Sequence, residues 1–303
     1  EGFIGGHLTD RLLQFGITVL GIDDMSNGVI STLNSHLKCH NFTSKQIDIT
    51  SNDISRIFNE FEPEYVFHLA AKAGVTPSVL NPTTSDFDNI NGTVNLLEAS
   101  KNCGVKRFVF SSSSSVYGGS QNLPTKESEP LNPKSPYALQ KLTGESYCEM
   151  FSQLYRLDTV SLRYFNVFGP RQRADSAYSA VIAAFCSAER DRIRPTIFGD
   201  GNQFRDFCYV KNVVDANIKA AIEEGPFYGA RFNVGCGGRT TVNELCDMIC
   251  SEKPIYNDKR SGDVFCSQAD ITSAKRAFGY HGDFSFADGV RDTLDWHLNG
   301  EVK

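Results

Sequence analysis

The 303-residue sequence lacks the features that mark several large classes of protein. Its apolar runs are far too short to cross a bilayer and no signal peptide is visible, so we expect no membrane partner. The net charge is −6 and the basic residues are dispersed, which argues against nucleic acid as a partner. These absences favour a soluble, cytoplasmic protein.

Paired cysteine motifs are also missing. The nine cysteines are scattered between Cys39 and Cys266 without a CxxC pair, and the six histidines show no ligand spacing. This pattern fits neither a disulfide framework nor a zinc ribbon. Cys246 and Cys250 stand one helical turn apart with no histidine nearby, so we interpret them as ordinary buried cysteines. We expect reduced cysteines and no metal site.

Runs rich in Val, Ile and Phe alternate with longer amphipathic stretches. Such runs are typical of buried parallel strands joined by crossover helices, so the pattern predicts an α/β fold with a doubly wound parallel sheet. The predicted strands are Thr18–Asp23, Tyr65–Ala70, Arg107–Ser112 and Thr159–Tyr164.

After about Arg163 the alternation becomes less regular, with predicted helices around Ala177–Arg190 and Thr241–Ser251 and a strand at Arg231–Val234. We predict a cofactor domain over residues 1–165 and a smaller mixed substrate domain over 166–303, with segments near 207–236 returning to the first domain. Ligands of open α/β sheets bind at the carboxyl ends of the strands, so the second domain should shape the substrate pocket.

Glycines open the first predicted helix, at Gly2, Gly5 and Gly6. Such a turn lets a pyrophosphate approach the backbone N–H groups at a helix N-terminus. About twenty residues later stands Asp23, where a Rossmann dinucleotide fold holds the adenosine ribose and where an acidic residue favours NAD over NADP. A simple turn residue is the alternative. The first glycine of the full motif would precede Glu1, so we expect the first strand to be missing from this chain.

Tyr137 and Lys141 stand four residues apart, about two dozen residues after the serine run Ser111–Ser115. On a helix, positions i and i+4 share one face, so the ammonium would lie near the phenol. A neighbouring positive charge favours phenolate and lowers a tyrosine pKa from its usual ~10, which suits a general base. A surface helix on which the two residues fall together by chance is the alternative.

In this order the motifs resemble extended short-chain dehydrogenase/reductases that act on nucleotide sugars, over essentially the whole chain. The matching motifs are Gly2–Gly5, Asp23, Asp48–Ile49, His68–Ala71, Asn89–Thr93, Ser111–Gly118, Tyr137–Lys141 and Arg163–Asn166. Leu162–Gln172, Arg205–Val210 and Arg260–Val264 are most similar to UDP-N-acetylglucosamine 4-epimerases.

The resemblance implies NAD as the cofactor. The residues that would hold NAD are Gly2, Phe3, Ile4, Gly5, Asp23, Asp48, Ile49, Leu69, Ala70, Ala71, Asn89, Tyr137, Lys141 and Phe165.

The resemblance also implies C4 epimerisation through a 4-keto sugar. Tyr137 would take the proton of the 4-hydroxyl while hydride passes to NAD, and Lys141 would support the phenolate. Ser113 matches the serine that hydrogen-bonds the 4-oxygen, with Ser112 and Ser114 as alternative donors. Related dehydratases and decarboxylases carry carboxylates at the positions of Ser114 and Ser115, and their absence here favours epimerisation over elimination.

For the UDP-sugar, Arg205 and Arg260 match diphosphate-binding arginines, for which surface salt bridges are the alternative. Asn166 would hold a phosphate or sugar group and Asp263 the uridine ribose. Ser267 matches a pocket residue beside the sugar 2-substituent, where a small side chain leaves room for an acetamido group. The implied substrates are UDP-GlcNAc and UDP-GalNAc, with UDP-glucose and UDP-galactose as further candidates.

Two other functions remain open. A UDP-glucuronate 4-epimerase shares the stretch Ala71–Val75, although Asn166 stands where we expect Thr in that relative. A catalytically silent nucleotide-binding protein is favoured by the incomplete start. Relatives commonly form homodimers through a four-helix bundle, which here would use Thr83–Asn102 and Ser135–Tyr155.

Overall fold

The structure, a computed structural model, describes residues 1–172, 181–259 and 266–299. The chain divides into two compact units. The first unit consists of Glu1–Gly118, Pro130–Arg163 and Val214–Phe232, and the second unit consists of Gly119–Glu129, Tyr164–Val213 and Asn233–Lys303. Within the described ranges no helix is long and apolar enough to cross a membrane.

Helices and strands alternate along most of the chain. The strands are β1 (Val19–Asp23), β2 (Phe42–Gln46), β3 (Tyr65–His68), β4 (Arg107–Ser113), β5 (Thr159–Tyr164), β6 (Val167–Phe168), β7 (Thr196–Phe198), β8 (Phe204–Arg205), β9 (Cys208–Tyr209), β10 (Ala230–Val234), β11 (Thr240–Thr241) and β12 (Ile255–Asn257). The helices are α1 (Phe3–Gln14), α2 (Ile30–His36), α3 (Ile54–Phe61), α4 (Val75–Leu80), α5 (Pro82–Asp86), α6 (Gly92–Cys103), α7 (Pro136–Tyr155), α8 (Val181–Asp191), α9 (Val210–Ile222), α10 (Val242–Ile249), α11 (Thr272–Phe278) and α12 (Phe286–Asn299).

The first unit contains the main parallel strands. β1 pairs with β2 in parallel, and a separate four-stranded sheet has the order β10-β5-β4-β3, in which β3 and β4 run parallel. Every residue of β5 is buried, as are all of β4 except its last, and both strands are rich in apolar residues although β4 ends in serines and β5 carries Ser161 and Arg163. The predicted α/β fold is confirmed, and the four predicted strands are β1, β3, β4 and β5.

The main core of the first unit lies between α3, α6, α7 and β4. In α3, the apolar residues Ile54, Ile57 and Phe58 share one buried face. The same cluster includes Leu97 of α6 and Phe108 of β4, both fully buried. This packing holds β4 and α7, which carry the serine run and the Tyr-Lys pair, against each other.

Local sequence explains where α7 begins. The Ser135 hydroxyl accepts a hydrogen bond from the Ala138 N–H at 3.2 Å and caps the helix, and Pro136 occupies its first position. The helix ends at Arg156, which adopts a left-handed conformation with φ of 59°. Tyr137 therefore lies in the first turn of α7 and Lys141 in the second.

Between α5 and α6 the helix widens into a π-helical turn, Phe87–Asn91. The residues that flank it, Asp86 and Gly92, keep right-handed helical dihedrals, so the chain runs from α5 into α6 without a break. Asn89 lies in this turn and is buried.

The second unit combines short strand pairs with helices. β6 pairs with β9 and β7 with β12 in parallel, whereas β8 and β11 are antiparallel. α8 packs against both α10 and α12. The predicted helix Thr241–Ser251 corresponds to α10, which Thr241 and Glu244 cap reciprocally. The predicted helix Ala177–Arg190 corresponds to α8 from Val181 onward, and its earlier residues lie outside the described ranges.

All nine cysteines are free thiols. Among the residues that the structure describes, no group of three or more His, Cys, Asp or Glu side chains is placed to hold a metal ion.

Candidate active site

The serine run lies at the carboxyl end of β4. Ser113 ends this strand, and its hydroxyl accepts a hydrogen bond from the Ser115 N–H at 3.2 Å, which caps the 3₁₀ turn Ser114–Tyr117. Gly118 follows with φ of 63°, and a Cβ there would lie 1.9 Å from the carbonyl oxygen of Asn132. Only glycine fits this position, so the turn after Ser113 has a fixed shape.

The structure brings together the three predicted catalytic residues. The Ser113 hydroxyl forms a hydrogen bond with the Tyr137 phenol. The Lys141 ammonium lies 5.8 Å from the centroid of the Tyr137 ring and donates a 2.8 Å hydrogen bond to the carbonyl of Ser111. Of the alternative donors, Ser112 instead donates to Glu145 at 2.5 Å. Ser113 is therefore the serine that contacts the phenol.

Burial dominates the electrostatics of this group. It raises the pKa of Tyr137 to about 12, although the hydrogen bond from Ser113 acts in the opposite direction. It also lowers the pKa of Lys141 to about 8, while Cys148 and Glu145 act to raise it. The expectation that Lys141 brings the pKa of Tyr137 below its usual value is therefore wrong for this structure. Desolvation of the phenolate outweighs the nearby ammonium.

His68 lies at the end of β3, where sequence reasoning assigned no chemistry. Its Nε2 lies 2.8 Å from the Thr93 hydroxyl, which itself donates to the Asn89 carbonyl at 2.6 Å. The hydroxyl proton is thus used, so the His68 Nε2 must be the donor in the other bond. Burial, together with the charge of Lys141, lowers the pKa of His68 to about 3, so the imidazole is neutral.

The buried amide of Asn89 orders the loop that follows β3. Its Oδ1 accepts from the Lys72 N–H at 2.8 Å, and its Nδ2 donates to the Lys72 carbonyl at 3.2 Å and to Gln140 of α7 at 2.7 Å. The predicted cofactor residues Leu69, Ala70 and Ala71 come directly before Lys72. Asn89 therefore positions this loop, and its own contact with the cofactor stays a prediction.

The start of α1 fits a pyrophosphate. Its N-cap residue, Gly2, makes no side-chain cap, and the first turn, which begins with the predicted cofactor residues Phe3, Ile4 and Gly5, contains no acidic residue. A Cβ built on Gly2 or Gly5 would meet nothing within 4 Å, so the chain's own packing does not require glycine there. The N–H groups of a first helical turn have no acceptor within the helix. The open space and these donors suit the diphosphate of NAD.

The remaining residues that we predict to bind NAD lie at or just after the carboxyl ends of strands. Asp23 ends β1, where its Oδ1 accepts from the Met25 N–H at 2.7 Å. The Asp48 carboxylate accepts from the N–H and the hydroxyl of Thr50, and the adjacent Ile49 is buried. Lys72 donates to Asp24 at 3.1 Å, which joins the loops after β3 and β1. These loops lie at the carboxyl ends of parallel strands, where such folds bind dinucleotides.

In the second unit, the candidate substrate residues Asn166 and Ser267 are in contact. The Asn166 amide donates to the Ser267 hydroxyl at 2.8 Å and to the Asp206 carbonyl at 3.0 Å. Arg205 lies in β8, and its guanidinium donates to the Phe204 carbonyl at 3.0 Å. Ser267 is also joined to this segment, because its N–H donates to Phe204 and its carbonyl accepts from the Asp206 N–H.

Sequence reasoning missed Asp206, which holds this region together. Its buried carboxylate accepts hydrogen bonds of 2.9 Å from the N–H groups of Cys236, Gly237 and Ala269. The available signal was the position of Asp206 directly before the apolar run Phe207–Val210, because a carboxylate buried beside such a run needs hydrogen-bond donors.

Three further site predictions have different outcomes. Phe165 is 1% exposed and its N–H donates to the Val234 carbonyl, so its ring is a buried core aromatic and its contact with NAD stays a prediction. Arg260 and Asp263 lie outside the described residues.

An α/β fold with a glycine-rich helix start and a Ser-Tyr-Lys group defines an NAD-dependent short-chain dehydrogenase/reductase. Residues 1–235 match the NAD dependent epimerase/dehydratase family, and the chain belongs to this family. The predicted family and its NAD cofactor are confirmed.

Relatives match over nearly the whole chain. The UDP-glucose 4-epimerase of Mycolicibacterium smegmatis is 39% identical over 98% of this chain and 96% of its own length. The crystal structure of the Thermotoga maritima UDP-glucose 4-epimerase with UDP-glucose has a TM-score of 0.92 at 37% identity and covers 98% of this chain and 96% of its own. The UDP-N-acetylglucosamine 4-epimerase of Methanobrevibacter ruminantium, in complex with UDP-N-acetylmuramic acid, has a TM-score of 0.90 at 39% identity, with the same coverage.

Proposed function

We propose that the protein is an NAD-dependent UDP-sugar 4-epimerase that interconverts UDP-GlcNAc and UDP-GalNAc, with UDP-glucose and UDP-galactose as further substrates. The observation that carries this proposal is the contact between Ser113 and Tyr137 beside Lys141. Ser114 and Ser115 supply no carboxylate that could act as acid or base in an elimination, so a reversible oxidation at C4 is the simplest chemistry of the site.

In this mechanism Tyr137 accepts the proton of the sugar 4-hydroxyl and later returns it to the 4-oxygen. Ser113 holds that oxygen, because its hydroxyl already contacts the phenol. NAD, when bound at the start of α1, would supply the acceptor for the hydride of the sugar C4 and a positive charge that favours the Tyr137 phenolate. Lys141, with a pKa of about 8, adds a second positive charge at neutral pH. Inversion would follow if the 4-keto sugar turned its other face towards the cofactor before Tyr137 returned the proton to the 4-oxygen.

We assign cofactor binding to the first unit, at the start of α1 and the loops that follow β1 and β3. We assign the UDP-sugar to the second unit, with Arg205 on the diphosphate, Asn166 on a phosphate or sugar group, and Ser267 beside the 2-substituent. Arg260 and Asp263 keep their predicted roles in diphosphate and uridine binding as part of this proposal. The small Ser267 side chain supports acceptance of an acetamido group.

The decisive experiment incubates the protein with NAD and each member of three epimer pairs: UDP-GlcNAc and UDP-GalNAc, UDP-glucose and UDP-galactose, and UDP-glucuronate and UDP-galacturonate. Proton NMR in D₂O follows the anomeric signals. We expect interconversion of the acetamido pair with no deuterium at C4, because the C4 hydrogen leaves and returns as hydride. Turnover of the uronate pair alone would favour the glucuronate epimerase. Bound NAD without turnover of any pair would indicate a silent homologue.

We also propose a homodimer in which α5, the π-helical turn and α6 pack with α7 against the same elements of a second copy. Large apolar side chains on these elements are exposed, with Phe87 and Leu139 both 55% and Leu154 65% exposed. Light scattering of the wild type and of Leu154→Glu tests this assembly. A wild-type monomer would refute it. We place the protein in the cytoplasm, because nine free thiols suit a reducing compartment.

A further inference from the structure

A buried carboxylate that the proposed mechanism does not use lies one helical turn after Lys141. Glu145 is fully buried, and its two oxygens accept from the Arg163 guanidinium at 2.8 and 2.7 Å. Ser112 donates to the same carboxylate at 2.5 Å, and the Arg231 guanidinium forms an ion pair with it at 3.3 Å. Glu145 thus joins α7 to β4, β5 and β10.

These contacts hold the segment that carries Ser113 from both sides. Ser112, the residue before it, bonds Glu145 directly. Tyr117, four residues after it, accepts from the Arg163 guanidinium at 2.8 Å, and this guanidinium also lies 4.9 Å from the Tyr117 ring centroid. Because Glu145 is on the same helix as Tyr137, the group fixes the Ser113 hydroxyl relative to the phenol.

The network is poorly explained by stability alone. Arg163 is 1% exposed, so both charges of the pair have lost their hydration. Apolar residues of similar volume often stabilise a core as well as a buried ion pair does. A fully satisfied polar network instead specifies one arrangement of the elements that it joins.

Charge gives Glu145 a second connection to the site. The groups that face Lys141 are Tyr137 and Cys148 on α7, His68 on β3 and the Ser111 carbonyl on β4. His68 is neutral and the Ser111 carbonyl carries no net charge. Glu145 is the carboxylate that acts to raise the pKa of Lys141 against the effect of burial.

We propose that Glu145 is a positioning residue for the epimerase reaction, which with Arg163 sets Ser113 against Tyr137 and places a negative charge one turn from Lys141. The inference rests on the proposed function, because its effect is measured on the reaction of Tyr137.

The test compares variants with the wild-type protein loaded with NAD. Glu145→Gln alone leaves the buried Arg163 guanidinium without its carboxylate and can fail to fold, so the double variant Glu145→Gln/Arg163→Met removes both charges. Ser112→Ala removes one hydrogen bond and leaves the charges in place. Glu149→Gln, one turn further along α7 on a half-exposed residue that pairs with Arg231, is the matched control.

For the double variant we expect kcat to fall at least about tenfold, while KM for the UDP-sugar changes less than about threefold. The pH at which activity declines on the alkaline side should move down, because the double variant loses Glu145, which acts to raise the Lys141 pKa, while the lost Arg163 is not among the charges that act on Lys141. Ser112→Ala should lower kcat about threefold and leave that pH unchanged. Glu149→Gln should match the wild type in both measurements.

Lysine NMR provides a readout that needs no turnover. The Lys141 signal, assigned with Lys141→Ala, should titrate at lower pH in the double variant than in the wild type. A folded double variant with wild-type kcat and an unchanged Lys141 titration would overturn the inference. If the double variant does not fold, a Ser112→Ala protein with wild-type kcat would also overturn it. Failure of the proposed function would instead appear as absent turnover in the wild type itself.

Discussion

Asn166 donates a hydrogen bond to the hydroxyl of Ser267 across 2.8 Å. Asn166 has a φ of 30°, a left-handed conformation that asparagine tolerates better than β-branched residues do. The pair joins the segment that follows β5 to the segment at Ser267, more than a hundred residues later in the chain. A change at Ser267 therefore acts on the proposed sugar pocket through its bulk and through this bond.

Ser267→Tyr tests how the bulk of this side chain affects the choice of substrate, and Ser267→Ala tests the effect of the bond to Asn166. The tyrosine ring would fill the space that we assign to the acetamido group, so we expect the ratio of kcat/KM for UDP-GlcNAc to that for UDP-glucose to fall at least about tenfold. Ser267→Ala removes the bond to Asn166 without adding bulk and should keep the wild-type ratio. An unchanged ratio in Ser267→Tyr would contradict the assignment of the pocket.

Tyr137→Phe tests the proposed acid and base. Loss of the phenol should lower kcat by about 10²- to 10⁴-fold, the range typical of general acid–base catalysis. Bound NAD, measured after release from the protein, should stay near its wild-type amount. Tyr147→Phe removes a hydroxyl from the same helix away from Ser113 and should keep full activity. A Tyr137→Phe protein with more than a tenth of wild-type activity would exclude Tyr137 as the essential base.

His68 should make the stability of the fold depend on pH. Its pKa is about 3 in the folded protein and 6.5 when unfolded, so the unfolded chain binds more protons between these values. The stability that the neutral imidazole confers is fully present above pH 6.5 and is lost as the pH falls towards 3.

Urea unfolding at pH 6.5 and 5 measures this loss. Between these pH values the wild type should lose about 2 kcal/mol more than His68→Gln, whose amide still has a donor for Thr93. His40→Gln is the matched substitution at an exposed histidine and controls for the exchange of histidine for glutamine itself. Equal slopes for the wild type and His68→Gln would contradict the assignment of a buried, neutral imidazole.

Gly5→Ala should weaken NAD binding without harming the fold. A Cβ at Gly5 meets no protein atom within 4 Å, so thermal unfolding without NAD should change little. The methyl group would instead occupy space that we assign to the diphosphate, so the rise in Tm on adding NAD should shrink.

Gly144→Ala gives the opposite pattern. A Cβ at Gly144 would lie 2.4 Å from the ring of Phe110, so we expect a loss of about 1–3 kcal/mol from overpacking. An undiminished NAD effect in Gly5→Ala would refute the proposed site at the start of α1.

Much of the fold could be predicted because its central strands are buried on both faces. β4 and β5 appear in the sequence as short segments rich in apolar and β-branched residues, and Ser135 with Pro136 signals the start of α7. β2 was missed, because only Phe42 of its five residues is buried and the strand lacks an apolar pattern.

The site could be predicted in part for a similar reason. Helical spacing alone brings Tyr137 near Lys141, but spacing does not report how deeply a group is buried, and burial decides the direction of the Tyr137 pKa. Glu145 and Arg163 were not recognised as a pair, because they are 18 residues apart on different elements. Such contacts become visible only when α7 is packed against the sheet.

The π-helical turn Phe87–Asn91 takes about one residue more than an α-helical turn, so the phases of α5 and α6 are offset. Deleting one residue from this turn would convert it into an α-helical turn and leave α6 nearly unrotated relative to α5, whereas a deletion inside α6 would rotate the residues that follow by about 100°. Leu96 and Leu97, which are buried in the core, would keep their places after the first deletion and turn away from the core after the second. The turn therefore absorbs one residue beyond what a continuous α-helix would hold, so we expect a one-residue deletion at its exposed positions to be tolerated better than a deletion inside α6.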